Sequence, residues 1–227
     1  MDMGQALWRK KKFMNKIEVD TINILDNEEI RLDSLEVNKF NIGKNSKLVI
    51  NVNESKFSNY EFNLSDNAYL EVNKFYNDNG IDEYIDIKLN GIGSKVIYNF
   101  SVLTSKSLKH DISIIHNNKN TISKIVNHGV VLNDSSLTFD VYGIVGKGNS
   151  KSILDQESRI IVMGKNNSII KPKLFIDEFD VEARHAATIG KFSKDEIFYL
   201  MTKGINEDAA NELLINGFLK SNLNGGE

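Results

Sequence analysis

The sequence predicts an all-β core of stacked coils, a parallel β-helix, followed by a small C-terminal two-helix region. Three observations carry this expectation. Strand-length runs of β-branched and aromatic residues recur about every 10–12 residues through most of the chain. The corners between them are rich in asparagine and glycine, while Pro172 is the one proline in 227 residues. Helical periodicity and helix-capping signals occur only near the C-terminus. An antiparallel sandwich shares the strand rhythm, but it should show hairpin turns and clean in/out alternation. Imperfect repeats with Asn/Gly corners favour the coil, in which each rung needs its neighbours and the ends need caps. From the residues alone the sandwich remains the alternative.

Taken in order, residues 1–16 hold Trp8 and the basic run Arg9, Lys10, Lys11 and Lys12, with no apolar region behind them. This is no secretory signal. It reads as a disordered extension before a start near Met14; a basic surface-binding arm is the weaker reading. From 17 to 35, Ile17, Val19, Ile22, Ile24, Ile30 and Leu32 suggest short strands, with Asp26 and Asn27 as a turn. LEVNKF at 35–40 returns at 70–75, with KLVINV at 47–52 between them. Further runs lie at 95–100, 111–115, 123–126, 137–142 and 159–163. NIGKN, NDNG, GIGS, NNKN, NDS and GKNN separate them, and asparagine tolerates the left-handed angles that tight corners need. The β-helix core is thus placed at 17–190 and the helical region at 191–227.

The helices have explicit start and stop signals. Ser193 with Glu196 is a capping box, Ile197, Leu200 and Met201 form a stripe, and Gly204 is a stop. Asn206 caps the second helix, Ala209, Ala210, Leu213 and Leu214 form its apolar face, and Gly217 is expected to end it. Helices of roughly ten residues do not stand alone in water, so these must pack on each other, the core or a partner. Phe198 and Tyr199 lie partly off the stripe, which suits a partner surface formed with Leu200, Met201, Leu213, Leu214 and Phe218.

Composition excludes several functions. The chain has no cysteine, so it holds no disulfide, thiol nucleophile or thiolate metal site. A net charge of −3 argues against electrostatic nucleic-acid binding. No apolar run is long enough to span a membrane. The GIVGKGN stretch at 143–149 lacks the ending of a phosphate loop. His110, His116 and His128 read as surface or corner residues, with a metal site built from them the weaker reading. His185 reads as lying in the turn between the last strand and the helices.

Six ordered segments carry a resemblance: NTISKIVNHGV at 120–130, YGIV at 142–145, DQE and RIIVMG at 155–164, KPKLFI at 171–176, HAATIG at 185–190, and FYL with KGI at 198–205. Together they resemble the SufB/SufD family, the scaffolds of SUF iron–sulfur cluster assembly, and the chain looks like a short SufD-like member. The resemblance implies a right-handed parallel β-helix and a cytoplasmic, non-catalytic scaffold. It also implies helices that bind the ABC-type ATPase SufC, and pairing with a SufB-like paralogue or with itself. ATP-driven dimerisation of the ATPase would shift the helices and open the interface between two β-helices.

The resemblance makes His185 a candidate iron or cluster ligand, and Glu157 a weaker one where SufB-type members carry cysteine. Glu157 or Ser158 occupies that place here, Ala186 replaces a glutamate, and Ala183 replaces a SufD-type cysteine. No cofactor is therefore expected on the chain alone, and a transient iron–sulfur cluster would need a partner's thiolates. The alternatives are a carbohydrate-active β-helix enzyme, for which no clear carboxylate pair on matching rungs is legible, and a structural β-helix.

Overall fold

The strand rhythm read along the chain becomes a continuous parallel solenoid. The structure, a computed structural model, describes residues 21–165 and 167–222; the basic extension expected at 1–16 lies outside them. The strands are β1 (Thr21–Ile24), β2 (Glu29–Leu32), β3 (Lys39–Ile42), β4 (Lys47–Val52), β5 (Asn59–Leu64), β6 (Tyr69–Asn77), β7 (Glu83–Leu89), β8 (Lys95–Thr104), β9 (Leu108–His116), β10 (Ile122–Val131), β11 (Leu137–Val145), β12 (Ser152–Val162), β13 (Ile169–Ile176) and β14 (Val181–Gly190). Odd strands build one seven-stranded sheet and even strands the other, each in sequence order. Neighbouring strands in both sheets are parallel, so each coil lays one strand on each sheet. This is a β-helix and not a hairpin sandwich.

The coil lengthens along the chain. Side chains stacked on successive rungs are 18 residues apart at Asn23 and Asn41, 22 at Asn41 and Asn63, 26 at Asn73 and Asn99, and 31 at Asn127 and Ser158. The two LEVNKF copies are therefore not successive rungs. The first leads into β3 of the odd sheet, whereas the second lies in β6 of the even sheet.

The corners explain the asparagines. Asn27, Asn45, Asn67, Gly93, Asn120 and Lys151 occupy one corner of successive coils, all with φ between 52° and 70°. Each passes its N–H to the next coil: Asn27 to Lys44, Asn45 to Asp66, Asn67 to Ile92, Gly93 to Lys119, Asn120 to Ser150 and Lys151 to Asp180. Side-chain amides stack as well, Asn45 on Asn27 and Asn67 on Asn45. Asparagine and glycine tolerate this left-handed backbone; Lys151 adopts it without that advantage.

Inward-facing residues fill the lumen. Leu70, Val72, Lys74 and Tyr76 of β6 point in, while Glu71 and Asn73 are half-buried outside. Phe40 stacks on Phe62 with ring centroids 5.0 Å apart. Inside this apolar column Lys74 is fully buried, with Nζ 3.0 Å from Glu83 Oε2. Tyr76 Oη donates to Glu83 at 2.7 Å, and Lys74 lies over the Tyr60 ring at 4.1 Å. Burial raises the Glu83 pKa, but Lys74 and His110 outweigh it and hold the carboxyl low.

Helices α1 (Lys194–Thr202) and α2 (Glu207–Ser221) follow β14. The capping box forms as the sequence predicts: Asp195 N–H donates to Ser193 Oγ, and Ser193 N–H donates to Glu196. Asn206 caps α2 through Ala209 N–H, and Gly204 adopts φ 84° after α1. Gly217 does not end α2, which runs four residues further. Leu219 is buried with Val130 and Ile161 while Phe218 packs beside them. This burial outweighs the roughly 1 kcal/mol that a helical glycine costs.

Candidate functional site

The last coil is built differently from those below it. Both β13 and β14 pair on one side only, at the end of each sheet. Register sets the facing of β14. Leu154, Gln156, Ser158 and Ile160 of β12 point inward and are buried. Their partners Ala183, His185, Ala187 and Ile189 continue that phase on β14. No described residue lies over them, and β14 is exposed from Glu182 to Ile189. Phe175, Ile176 and Ile189 are also exposed, and Phe179 is fully so. An uncapped solenoid end leaves apolar residues and strand edges open to pairing.

His185 therefore sits in the middle of an edge strand, not in a turn before the helices. The HAATIG residues are short and β-compatible, and parallel pairing to β12 extends the strand to Gly190. Glu157 pairs with Ala186 and lies on the opposite face, half-exposed, with Oε1 4.0 Å from His128 Nε2. The fold thus does not bring His185 and Glu157 together. Among the described residues no group of three His, Asp or Glu side chains could hold a metal ion. With no cysteine present either, the chain's own residues do not fit an iron–sulfur site.

Beneath His185 lies a residue that the motif reading passed over. Gln156 is 2% exposed, and neither amide atom has a hydrogen-bond partner among the described residues. Across the lumen Gly143 makes room for it; a Cβ there would lie 2.8 Å from Gln156 Nε2. A polar residue in phase with Leu154 and Ile160 was the signal available in the sequence.

The other histidines are buried, not on the surface or at open corners. His110 stacks on Phe100 at 3.8 Å, and burial pushes its pKa down against the pull of Glu83. His116 bonds Thr121 at 2.7 Å and Ser123 at 2.9 Å, and burial pulls its pKa down to about 4. Both point into the lumen, where inward spacing from β9 places them. His128 faces the other way. Its Nδ1–H donates to the Phe218 carbonyl at 3.0 Å, and its ring stacks on Phe218 at 4.4 Å.

That contact belongs to a clamp on the last turn of α2. Ser101 Oγ donates to the Leu219 carbonyl, and Asn222 Nδ2 donates to the Phe100 and Val126 carbonyls. Helix C-termini leave carbonyls unpaired, and here β8 and β10 supply the donors. The sequence-predicted partner surface divides accordingly. Phe198, Tyr199, Met201 and Leu213 are exposed, Phe198 by 68%, whereas Leu200, Leu214 and Phe218 are half-buried. Helix α1 buries no residue at all.

Among the described residues two carboxylate pairs do stand on matching rungs, where none was legible in the sequence: Glu61 with Asp86, bridged by Lys88, and Asp111 with Asp140. Asp111 and Asp140 are register partners on the outer face of the odd sheet. Each is engaged by its own lysine: Lys109 on Asp111, and Lys173 on Asp140 at 2.7 Å. No described helix is long and apolar enough to cross a membrane.

Comparison with known proteins agrees with this architecture. The family described as SUF system FeS cluster assembly, SufBD core domain, matches residues 26–218. The chain is similar to the iron–sulfur cluster assembly protein SufD of Bacillus subtilis, 38% identical over 112 residues, covering 49% of this chain and 26% of that protein. It is also similar to iron–sulfur cluster assembly SufBD family proteins of Staphylococcus epidermidis and Staphylococcus haemolyticus, each 27% identical over 187 residues, covering 70% of this chain and 38% of theirs. The chain thus spans well under half the length of these curated relatives. A continuous parallel solenoid matched across nearly its whole described length places this chain in the SufBD core family of SUF iron–sulfur cluster assembly.

Proposed function

We propose that this chain is a non-catalytic scaffold subunit of a cytoplasmic SUF-type assembly complex. Its open coil end takes a SufB-like paralogue or a second copy, and its helical pair takes a SufC-like ABC ATPase. The iron–sulfur cluster is cargo, held at least in part by the paralogue's thiolates. His185 is the one residue of the chain offered to it, at the edge of the interface. The observation that supports the reading is the uncovered terminal coil, with β13 and β14 unpaired on one side and Phe175, Phe179 and Ile189 exposed. Such an end is costly in water and suits a chain that continues the stack.

The helical pair supports the ATPase contact. Phe198, Tyr199 and Met201 of α1 and Leu213 of α2 are exposed. Exposed aromatics of this kind form the anchors of protein interfaces. The α2 clamp fixes one end of the pair, so a shift imposed on α1 would be passed to β8 and β10. Co-expression with the ATPase tests this. The wild-type chain should retain the ATPase through purification, and Phe198→Asp with Tyr199→Asp should abolish retention without unfolding the solenoid. Unchanged retention would remove the helical surface from the account.

A further inference from the structure

We propose that Gln156 is a positioning residue for His185: when a second chain covers the open coil end, the Gln156 amide takes one ring nitrogen of His185 and leaves the other directed at that chain. This rests on the reading of the coil end as a partner surface. The two residues are register partners in the same inward phase of adjacent parallel strands. Gln156 is buried, and both its amide atoms lack a partner among the described residues. Gly143 opposite leaves the space in which that amide lies. The rest of the terminal inward layer is apolar: Pro172, Leu174, Ala183, Ala187 and Ile189. Asn127 Oδ1, another orphaned amide oxygen of the lumen, lies under Ser158 and not under Gln156.

A covering chain removes water from the His185 ring, and buried polar groups then need partners. A neutral imidazole has one donor and one acceptor nitrogen, and an amide carries both functions. One His–Gln bond satisfies an orphan on each side. It also fixes which ring nitrogen bears the proton, because the bond made by one nitrogen sets the role of the other. Gln156 thereby selects the tautomer that His185 presents to the interface.

Ring-¹⁵N labelling of histidine tests this, since the chain has four histidines and His185→Gln identifies the relevant signals. The tautomer ratio of His185 is measured in the chain alone and in its complex with a cysteine-bearing SufBD paralogue. The complex should show at least a tenfold excess of one tautomer. Gln156→Met should still form the complex but return the ratio to that of the free chain. A packing role alone would move the melting temperature and leave the ratio unchanged. A ratio in the complex that ignores Gln156→Met overturns this proposal while the partner reading stands. A wild-type chain that forms no complex overturns the partner reading, and this proposal with it.

Discussion

Ser101 Oγ donates a 2.8 Å hydrogen bond to the carbonyl of Leu219, across 118 positions of chain. With the His128 and Asn222 bonds, it fastens the last turn of α2 to strands in the middle of the solenoid. Helix α1 touches no strand comparably and has no buried residue. The described hydrogen bonds between the helical pair and the solenoid are thus gathered at the end of α2.

The first prediction follows from those bonds. Ser101→Ala leaves the buried Leu219 carbonyl unmet, and Asn222→Ala removes the side chain that ties the helix end to Phe100 and Val126, each at a cost of about 1–3 kcal/mol. Hydrogen exchange should speed up across α2 in both variants while β6 and β8 stay protected. Unchanged exchange in α2 would show that the clamp does not hold the helix.

Lys151 should respond in the opposite direction. It is the one residue of its corner ladder that is neither asparagine nor glycine, and its φ is 60°. Lys151→Gly or Lys151→Asn should stabilise the chain by about 1 kcal/mol, because the left-handed backbone disfavours a long side chain. Urea unfolding midpoints measure this, and a loss of stability would contradict it.

The buried ion pair gives an asymmetric prediction. Lys74→Met leaves Glu83 charged in a dry lumen and should cost about 3–5 kcal/mol. Adding Glu83→Gln removes the stranded charge and should recover much of that loss. A double-mutant cycle on the unfolding free energy checks it; additive losses would mean that the two side chains do not depend on each other.

Stability should fall with acid through the buried histidines. His116 has its pKa lowered by burial to about 4, so the unfolded chain binds more protons than the folded one between the ordinary histidine pKa and that value. Its contribution is fully present above pH of about 6.5 and is lost as pH falls towards 4, roughly 3 kcal/mol in total. His110 and His128 are shifted in the same direction. His116→Gln should flatten the slope of unfolding free energy against pH in that window. An equally steep slope would remove His116 as its source.

The corners were the most legible part of the fold, since left-handed backbone needs asparagine or glycine at defined places. Asn27, Asn45, Asn120 and Asn133 show that need, each in a corner the sequence marks. Helix starts were equally readable, because Ser193 and Asn206 act through local bonds. Quantities set by distant contacts were not. Gly217 is overridden by packing of Phe218 and Leu219 on strands far back in the chain. His110 and His116 look like surface histidines until the facing of β9 is known. His185 is drawn into a strand by its pairing with β12, and Gln156 matters only through the register that sets it beneath His185. A coil that grows from 18 to 31 residues also hides its period from any fixed-length repeat.

Native mass spectrometry of the chain co-expressed with the ATPase and a cysteine-bearing SufBD paralogue tests the scaffold account most directly. The account predicts one assembly containing all three chains. Phe175→Asp with Ile189→Asp should release the paralogue and keep the ATPase, whereas Phe198→Asp with Tyr199→Asp should do the reverse. A folded wild-type chain that stays alone, or an assembly indifferent to both pairs of substitutions, would contradict it.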